Sequence, residues 1–191
     1  MLKQIKRKIL KIIYPFLITI NKLTGTRRNI YSSNKPALVP FSRLTMETNE
    51  GKILAAASYI GKKVLVVNTA SDCGYTQQYE SLQYLWEQHK DKLEILAFPS
   101  PDYLNQERGN DADIVGFCKL YSISFPVMKK SGVKKKINQN SVFGWLTHAA
   151  ANGWNEREPE WNFTKYLISE KGDLSYVFGP GIEPLEIEKY L

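Results

Sequence analysis

An α/β fold around a mixed sheet is what this sequence predicts, because short apolar runs of strand length alternate with amphipathic stretches of helical period. The chain has 191 residues, 43% of them hydrophobic, which suffices for the core of one domain with an appendage. Two runs carry the strand reading: residues 63–68 (KVLVVN) and residues 93–98 (LEILAF), the second closed by Pro99 and Pro101. Between them, residues 77–89 place Tyr79, Leu82, Leu85 and Trp86 on one helical face.

The remaining elements follow in order. Residues 41–56 (FSRLTMETNEGKILAA) read as a hairpin turning at Asn49-Glu50-Gly51. Residues 111–121 read as a helix capped by Asn110 or Asp111. Phe125-Pro126-Val127-Met128 suits a strand start or a sheet edge, where a proline's missing N–H does least harm. Residues 141–151 are expected to be helical, 163–168 and 174–178 to be strands around a Glu170-Lys171-Gly172 turn, and 184–191 to close the fold as a helix. Residues 25–40 carry Gly, Pro and polar side chains without periodicity and read as a linker, so the domain is expected to run over 41–191 and a separate segment over 1–40.

The formal net charge of +7 is unevenly spread. Residues 1–30 hold eight basic side chains (Lys3, Lys6, Arg7, Lys8, Lys11, Lys22, Arg27, Arg28) and no acidic one, which leaves the rest at −1. The basicity therefore belongs to the tail, and no helix-turn-helix, stacking surface or zinc-finger spacing points to nucleic acid. The tail is a basic amphipathic extension in which Leu2, Ile5, Ile9, Ile12, Ile13, Phe16 and Ile20 recur at three- and four-residue steps. Its apolar run over 12–20 falls short of the roughly 20 residues that cross a bilayer, and Tyr14-Pro15 would kink a helix. The expectation is a helix lying on a membrane surface through residues 1–24, or a signal-anchor of marginal length. A cleaved signal, without a clear small-residue site, and a helix packed on its own domain are the alternatives, the latter leaving the protein cytoplasmic.

Two cysteines, Cys73 and Cys118, are too few for a disulfide scaffold. Together with His89 and His148 they form no ligand-spaced cluster, so no metal and no cofactor is expected and the thiols themselves are left to do chemistry. Cys73 lies in VLVVNTASDCGYTQQY, between an apolar strand and an amphipathic stretch. A thiol at a helix start meets unpaired N–H groups and the positive end of the dipole, both of which favour the nucleophilic thiolate. The plainer alternative is a small buried hydrophobe, against which stand its loop-like neighbours Ser71, Asp72, Gly74 and Tyr75.

The runs NTASDCGYTQQYESLQYLW, FP with a loop ending in NQERG, FCKLY, SFPVM and WNFTKYLI together resemble the glutathione peroxidase family, a branch of the thioredoxin fold, over about residues 41–191. The resemblance implies a thioredoxin-like fold with a mixed central sheet flanked by helices. It implies a peroxidase whose reactive residue is Cys73, within a constellation of that residue with Gln, Trp and Asn. Trp and Asn fall on Trp161 and Asn162; the other such pair, Trp154-Asn155, lacks the Phe163-Thr164-Lys165 that follows in the family manner. Indole and amide N–H groups stabilise a thiolate without adding negative charge. At the Gln position this chain has Asp102, which either accepts a proton from Cys73 or points to solvent, and Leu104 stands where many members have glycine.

The resemblance also assigns Cys118 as a resolving cysteine. A disulfide needs Cα atoms roughly 4.4–6.8 Å apart, so part of the 111–121 helix would have to unwind. The expected cycle reduces hydrogen peroxide or organic hydroperoxides through a Cys73 sulfenic acid and a Cys73–Cys118 disulfide. The reductant would be a thioredoxin-like protein or glutathione, and the setting a response to oxidative stress. Lys129, Lys130, Lys134, Lys135 and Lys136 form a basic loop that either steers an acidic donor or is simply solvated. A membrane-tethered thiol-disulfide reductase and a non-catalytic binding module of the same fold are the rival readings; the first needs a second thiol close behind Cys73, where Gly74, Tyr75 and Thr76 stand.

Overall fold

The computed structural model describes residues 27–191. Its centre is a five-stranded sheet made of β1 (Ile30–Ser32), β4 (Lys63–Thr69), β5 (Leu93–Pro99), β6 (Lys165–Ile168) and β7 (Leu174–Phe178), in the order β1-β7-β6-β4-β5. A hairpin of β2 (Thr45–Glu47) and β3 (Ile53–Ala55) turns at Gly51, whose φ of 84° suits glycine. Among the paired strands of the described residues only β4 and β5 are parallel, and they align from Lys63 opposite Leu93 to Thr69 opposite Pro99. The other pairings are antiparallel.

The near-continuous apolar run of β4 is explained by burial on both faces. Leu65 and Val67 face one core with Tyr79, Leu82 and Leu85 of α1 (Gln78–His89), Ile114 and Cys118 of α2 (Asp111–Leu120), and Ile187 of a closing 3-10 helix, Pro184–Tyr190. Val64 and Val66 face the other core with Val142, Phe143, Trp145 and Leu146 of α3 (Ser141–Leu146). Asn110 caps α2, accepting from the Asp113 N–H while Asp113 accepts from the Asn110 N–H.

Four expectations change on contact with the structure. The helix expected over 141–151 breaks into α3 and α4 (Ala149–Asn152), because the Thr147 hydroxyl donates back to the Phe143 carbonyl at 2.8 Å and ends the first piece. Residues 125–128 make bridges rather than a strand, with Val127 beside Ala97 and Met128 beside Thr48, since Pro126 has no N–H to extend a ladder. The final segment is 3-10. Residues 27–40 are not a detached linker: Ile30 pairs with Phe178, the Ala37 N–H donates to Asp173 at 2.8 Å, and the N–H groups of Leu38 and Val39 both reach Ala151 O at 2.9 Å. A three-residue strand leaves too little periodicity to read. The basic amphipathic segment over 1–24 lies outside the described residues, and among these no helix is long and apolar enough to cross a membrane.

Lys165 points from β6 into the core, fully buried, and donates to the carbonyls of Ile182 at 2.6 Å and Pro180 at 3.5 Å. Burial pushes its ammonium down from 10.5 to about 7; the carboxylates of Glu183 and Glu186 oppose this and Arg28 adds to it. Unfolding thus favours protonation between those two values, so stability from this residue rises with pH across the interval and is flat below it. The stability of the native chain relative to Lys165→Met, followed by urea denaturation, should climb from about pH 7 to about pH 10; a pH-independent difference would contradict a buried neutral amine.

Candidate active site

Three loops meet at the carboxyl ends of β4 and β5. The first follows β4 and holds Cys73, which is 7% exposed. Helix α1 begins at Gln78 rather than next to the cysteine, and a series of tight turns leads into it: Thr76 N–H to Cys73 O, Gln78 N–H to Tyr75 O, Tyr79 N–H to Thr76 O. The Thr76 hydroxyl accepts from the Cys73 N–H at 3.1 Å and donates to Ala70 O at 2.9 Å, which fixes the turn. The Tyr75 N–H donates to the Cys73 sulfur at 3.5 Å. The expected N–H donor is thus present, supplied by the turn instead of by the helix end.

The loop after β5 clamps the first. Ser71 donates through N–H (3.0 Å) and hydroxyl (2.8 Å) to the buried Glu107, whose carboxyl burial raises and these donors pull back. The Asp72 N–H reaches Gln106 O at 3.0 Å, and Arg108 pairs with Asp72 at 3.0 Å. The third loop, 161–164, hangs on Asn68 of β4. The Asn68 side chain donates to Trp161 O (3.0 Å) and accepts from the Thr164 N–H (3.1 Å), while its carbonyl accepts from the N–H of Phe163, which sits at φ 66°.

Gln106 joins all three loops. Its backbone holds Asp72, and its side-chain oxygen accepts from Asn162 Nδ2 at 2.8 Å. Asn162 is fully buried, and its Oδ1 has no hydrogen-bond partner among the described residues. Trp161 packs against the cluster that contains Cys73, with Tyr103 at 5.2 Å between ring centroids and the Arg27 guanidinium 4.5 Å above its ring. Trp154 and Asn155 lie elsewhere: the Trp154 indole donates to Leu174 O and Asn155 to Leu146 O, both at 2.7 Å. They brace the opposite core.

Asp102 follows neither course that the sequence left open. Its side chain is 6% exposed, and it accepts from the N–H groups of Val133 (2.6 Å) and Lys134 (3.0 Å) and from the Lys136 ammonium. Burial would raise its carboxyl, but Lys136 and the two N–H groups outweigh that and hold it below 3.8. The loop that bears it bends through Leu104 and Asn105 at φ 53° and 51°, left-handed conformations that glycine adopts without strain. The basic loop is likewise engaged. Lys129 pairs with Glu47, Lys130 caps Gly109 O, Lys134 lies 4.5 Å over the Tyr103 ring, Lys135 pairs with Glu156, and Lys136 holds Asp102.

Cys118 is buried in α2, shares a core cluster with Cys73 and is not bonded to it. Burial, then the Glu107 carboxylate, push its thiol up to about 11. Its other side lines a cleft of about 380 Å³ between the β2–β3 turn and residues 123–127.

A glutathione peroxidase family model matches residues 41–147. The chain belongs to the glutathione peroxidase family. A relative described as a glutathione peroxidase homolog, BsaA of Staphylococcus aureus, is 40% identical over 146 residues, covering 75% of this chain and 91% of its own length. The crystal structure of T. cruzi GPX1 superposes with a TM-score of 0.61 at 25% identity, over 80% of this chain and 94% of that one. A thiol:disulfide interchange protein of the thioredoxin family from Chlorobium tepidum shares the fold, with a TM-score of 0.55 at 18% identity over 83% of this chain and 95% of that one. The chain is a peroxidase with a thioredoxin-like fold. Gln106, Glu107, Asn68 and Thr76 are site-building residues that pattern reading passes over, although the first two stand inside the NQERG run of this peroxidase.

With its carboxylate bound to one ammonium and two N–H groups, Asp102 supports the loop more than any proton transfer. Asp102→Asn should lower stability by about 1–3 kcal/mol, a loss that disappears in acid as the native carboxylate is protonated below 3.8. Peroxidase kcat/KM should stay within about threefold, about 0.7 kcal/mol of barrier; a hundredfold fall in activity without a stability change would make it a proton acceptor for Cys73.

Proposed function

We propose that Cys73 is the peroxidatic residue of a two-cysteine thiol peroxidase. Its thiolate attacks the hydroxyl oxygen of the hydroperoxide, the O–O bond breaks and Cys73 becomes a sulfenic acid, while the departing hydroxide or alkoxide takes up the proton the thiol gave up on ionising and leaves as water or an alcohol. Trp161 and Asn162 supply N–H donors to the thiolate and to the departing oxygen. The buried Asn162 Oδ1 is a ready acceptor for the hydroperoxide O–H. The observation that carries this reading is the link through Gln106, which ties the loop of Cys73 to Asn162 by two hydrogen bonds. Asp102 acts indirectly, as the anchor of the lysine loop beside Tyr103.

In the second half of the cycle the Cys118 thiolate attacks the Cys73 sulfenic sulfur, water leaves, and a disulfide forms. Where it sits, Cys118 is a poor nucleophile, because burial keeps it protonated at neutral pH. It has to leave its helical place first. Helix α2 is suited to that, since it buries only Ile114 and Cys118 where α1 buries five side chains, and opening it costs correspondingly less. A thioredoxin-like dithiol, which takes up the electron deficit by exchange, is the reductant this scheme favours; glutathione would replace it if Cys118 did not resolve. The protein would serve in defence against oxidative stress, held at a membrane surface by residues 1–24 or free in the cytoplasm.

Turnover of hydrogen peroxide and of a lipid hydroperoxide, with thioredoxin and with glutathione, tests the scheme in the native chain and two variants. Cys73→Ser should be inactive throughout, and Cys118→Ser should lose thioredoxin-supported turnover; full retention by the second would remove the resolving role. Gly116 lies inside α2 with nothing within 4 Å of an added Cβ. Gly116→Ala should therefore stabilise the helix by about 0.8–1 kcal/mol and slow disulfide formation about fourfold by the same free energy. Stopped-flow oxidation of Cys73 should keep its rate.

A further inference from the structure

We infer that Arg27, which lies outside the residues the family model matches, is a positioning residue for the indole of Trp161. The inference rests on the reading of Cys73 and Trp161 as the peroxide site. Arg27 is held by its backbone. Its φ is 61°, its carbonyl accepts from the Gly181 N–H at 2.9 Å, and it passes so close to Gly179 that a Cβ there would stand 2.4 Å from Arg27 O. The next residues fasten the segment: Arg28 donates to Gly181 O at 2.7 Å and pairs with Glu186 at 2.6 Å, and Asn29 donates to Glu160 at 2.8 Å. The guanidinium is left 4.5 Å over the Trp161 ring.

A cation on the face of an indole is attracted by the ring quadrupole and fixes the ring plane. It also draws electron density to that face and makes the indole N–H a stronger donor. Both effects favour the thiolate of Cys73 over the thiol. Other charges nearby are committed or quenched. Asp72 is paired with Arg108, Glu107 is bound by Ser71, Glu160 by Asn29, and Glu158 by the Lys135 N–H. Lys165 is bound by two carbonyls, Asp102 by Lys136, and burial keeps Tyr79, Tyr103 and Cys118 neutral. Among the described residues Arg27, Lys130 and Lys134 enter no ion pair; Lys130 donates to the Gly109 carbonyl, and Lys134 stacks on Tyr103, the aromatic neighbour of Trp161.

The left-handed φ makes a clean test available. Arg27→Gly removes the guanidinium at a position where glycine suits the backbone, and Arg27→Lys keeps a charge. The pH dependence of Cys73 alkylation by iodoacetamide is measured in a Cys118→Ser background, beside peroxide kcat/KM with Cys118 intact. Arg27→Gly should move the alkylation midpoint upward by about half to one pH unit and lower kcat/KM about three- to tenfold, the reach of one cation–π contact. Arg27→Lys should recover most of both at unchanged Tm. An unshifted profile in Arg27→Gly, or equal losses in the two variants with a lowered Tm, would overturn the inference while leaving the peroxide site standing. Activity surviving in Cys73→Ser would instead bring down the site, and the inference with it.

Discussion

The parallel pairing of β4 with β5 is the constraint on which the rest of the structure depends. It is the one place in the sheet where two successive strands run the same way, and it brings Thr69 and Pro99 side by side at the same edge. The loops that leave those residues are therefore neighbours from their first residues. Loops of this kind carry backbone groups that must be satisfied when they are buried. Here they satisfy one another, through Ser71 with Glu107 and Asp72 with Gln106, and the third loop is added from β4 itself by Asn68. A thiol that is 7% exposed is thus held by hydrogen bonds that run from three separated parts of the chain. Such a network shapes the site before substrate arrives.

The two thiols sit in different environments. Cys73 has a backbone N–H aimed at its sulfur and lies on a turn braced by Thr76. Cys118 sits on a lightly buried helix, kept protonated by burial and by the nearby Glu107. In the proposed cycle, a resolving thiol that is inert until its helix opens does not compete for peroxide.

Much of this was legible in the sequence, and the limits have physical causes. β4, β5, α1 and the β2–β3 turn follow from periodicity and from Gly51. Cys73, Trp161 and Asn162 stand in long runs whose residue types suit thiol chemistry, and the structure brings them to the same region. β1 was missed because three residues against β7 carry no pattern, and the break at Thr147 because a back-bonding hydroxyl competes with a helix only in context. The role of Gln106 was hidden for another reason: its contacts reach 34 and 56 residues away along the chain, to Asp72 and Asn162. Asp102 was misjudged as facing either Cys73 or water because its partners come from the lysine loop, and the five lysines of that loop are tied down within the protein.

The central claim is that peroxide oxygen goes first to Cys73. A single-turnover reaction with one equivalent of hydrogen peroxide, quenched over time and read by peptide mass spectrometry with a sulfenic-acid trap, tests it directly. Trapped label should appear on Cys73 at early times and a Cys73–Cys118 cross-linked peptide later. Label arising first on Cys118, or oxidation of neither cysteine while peroxide is consumed, would contradict it.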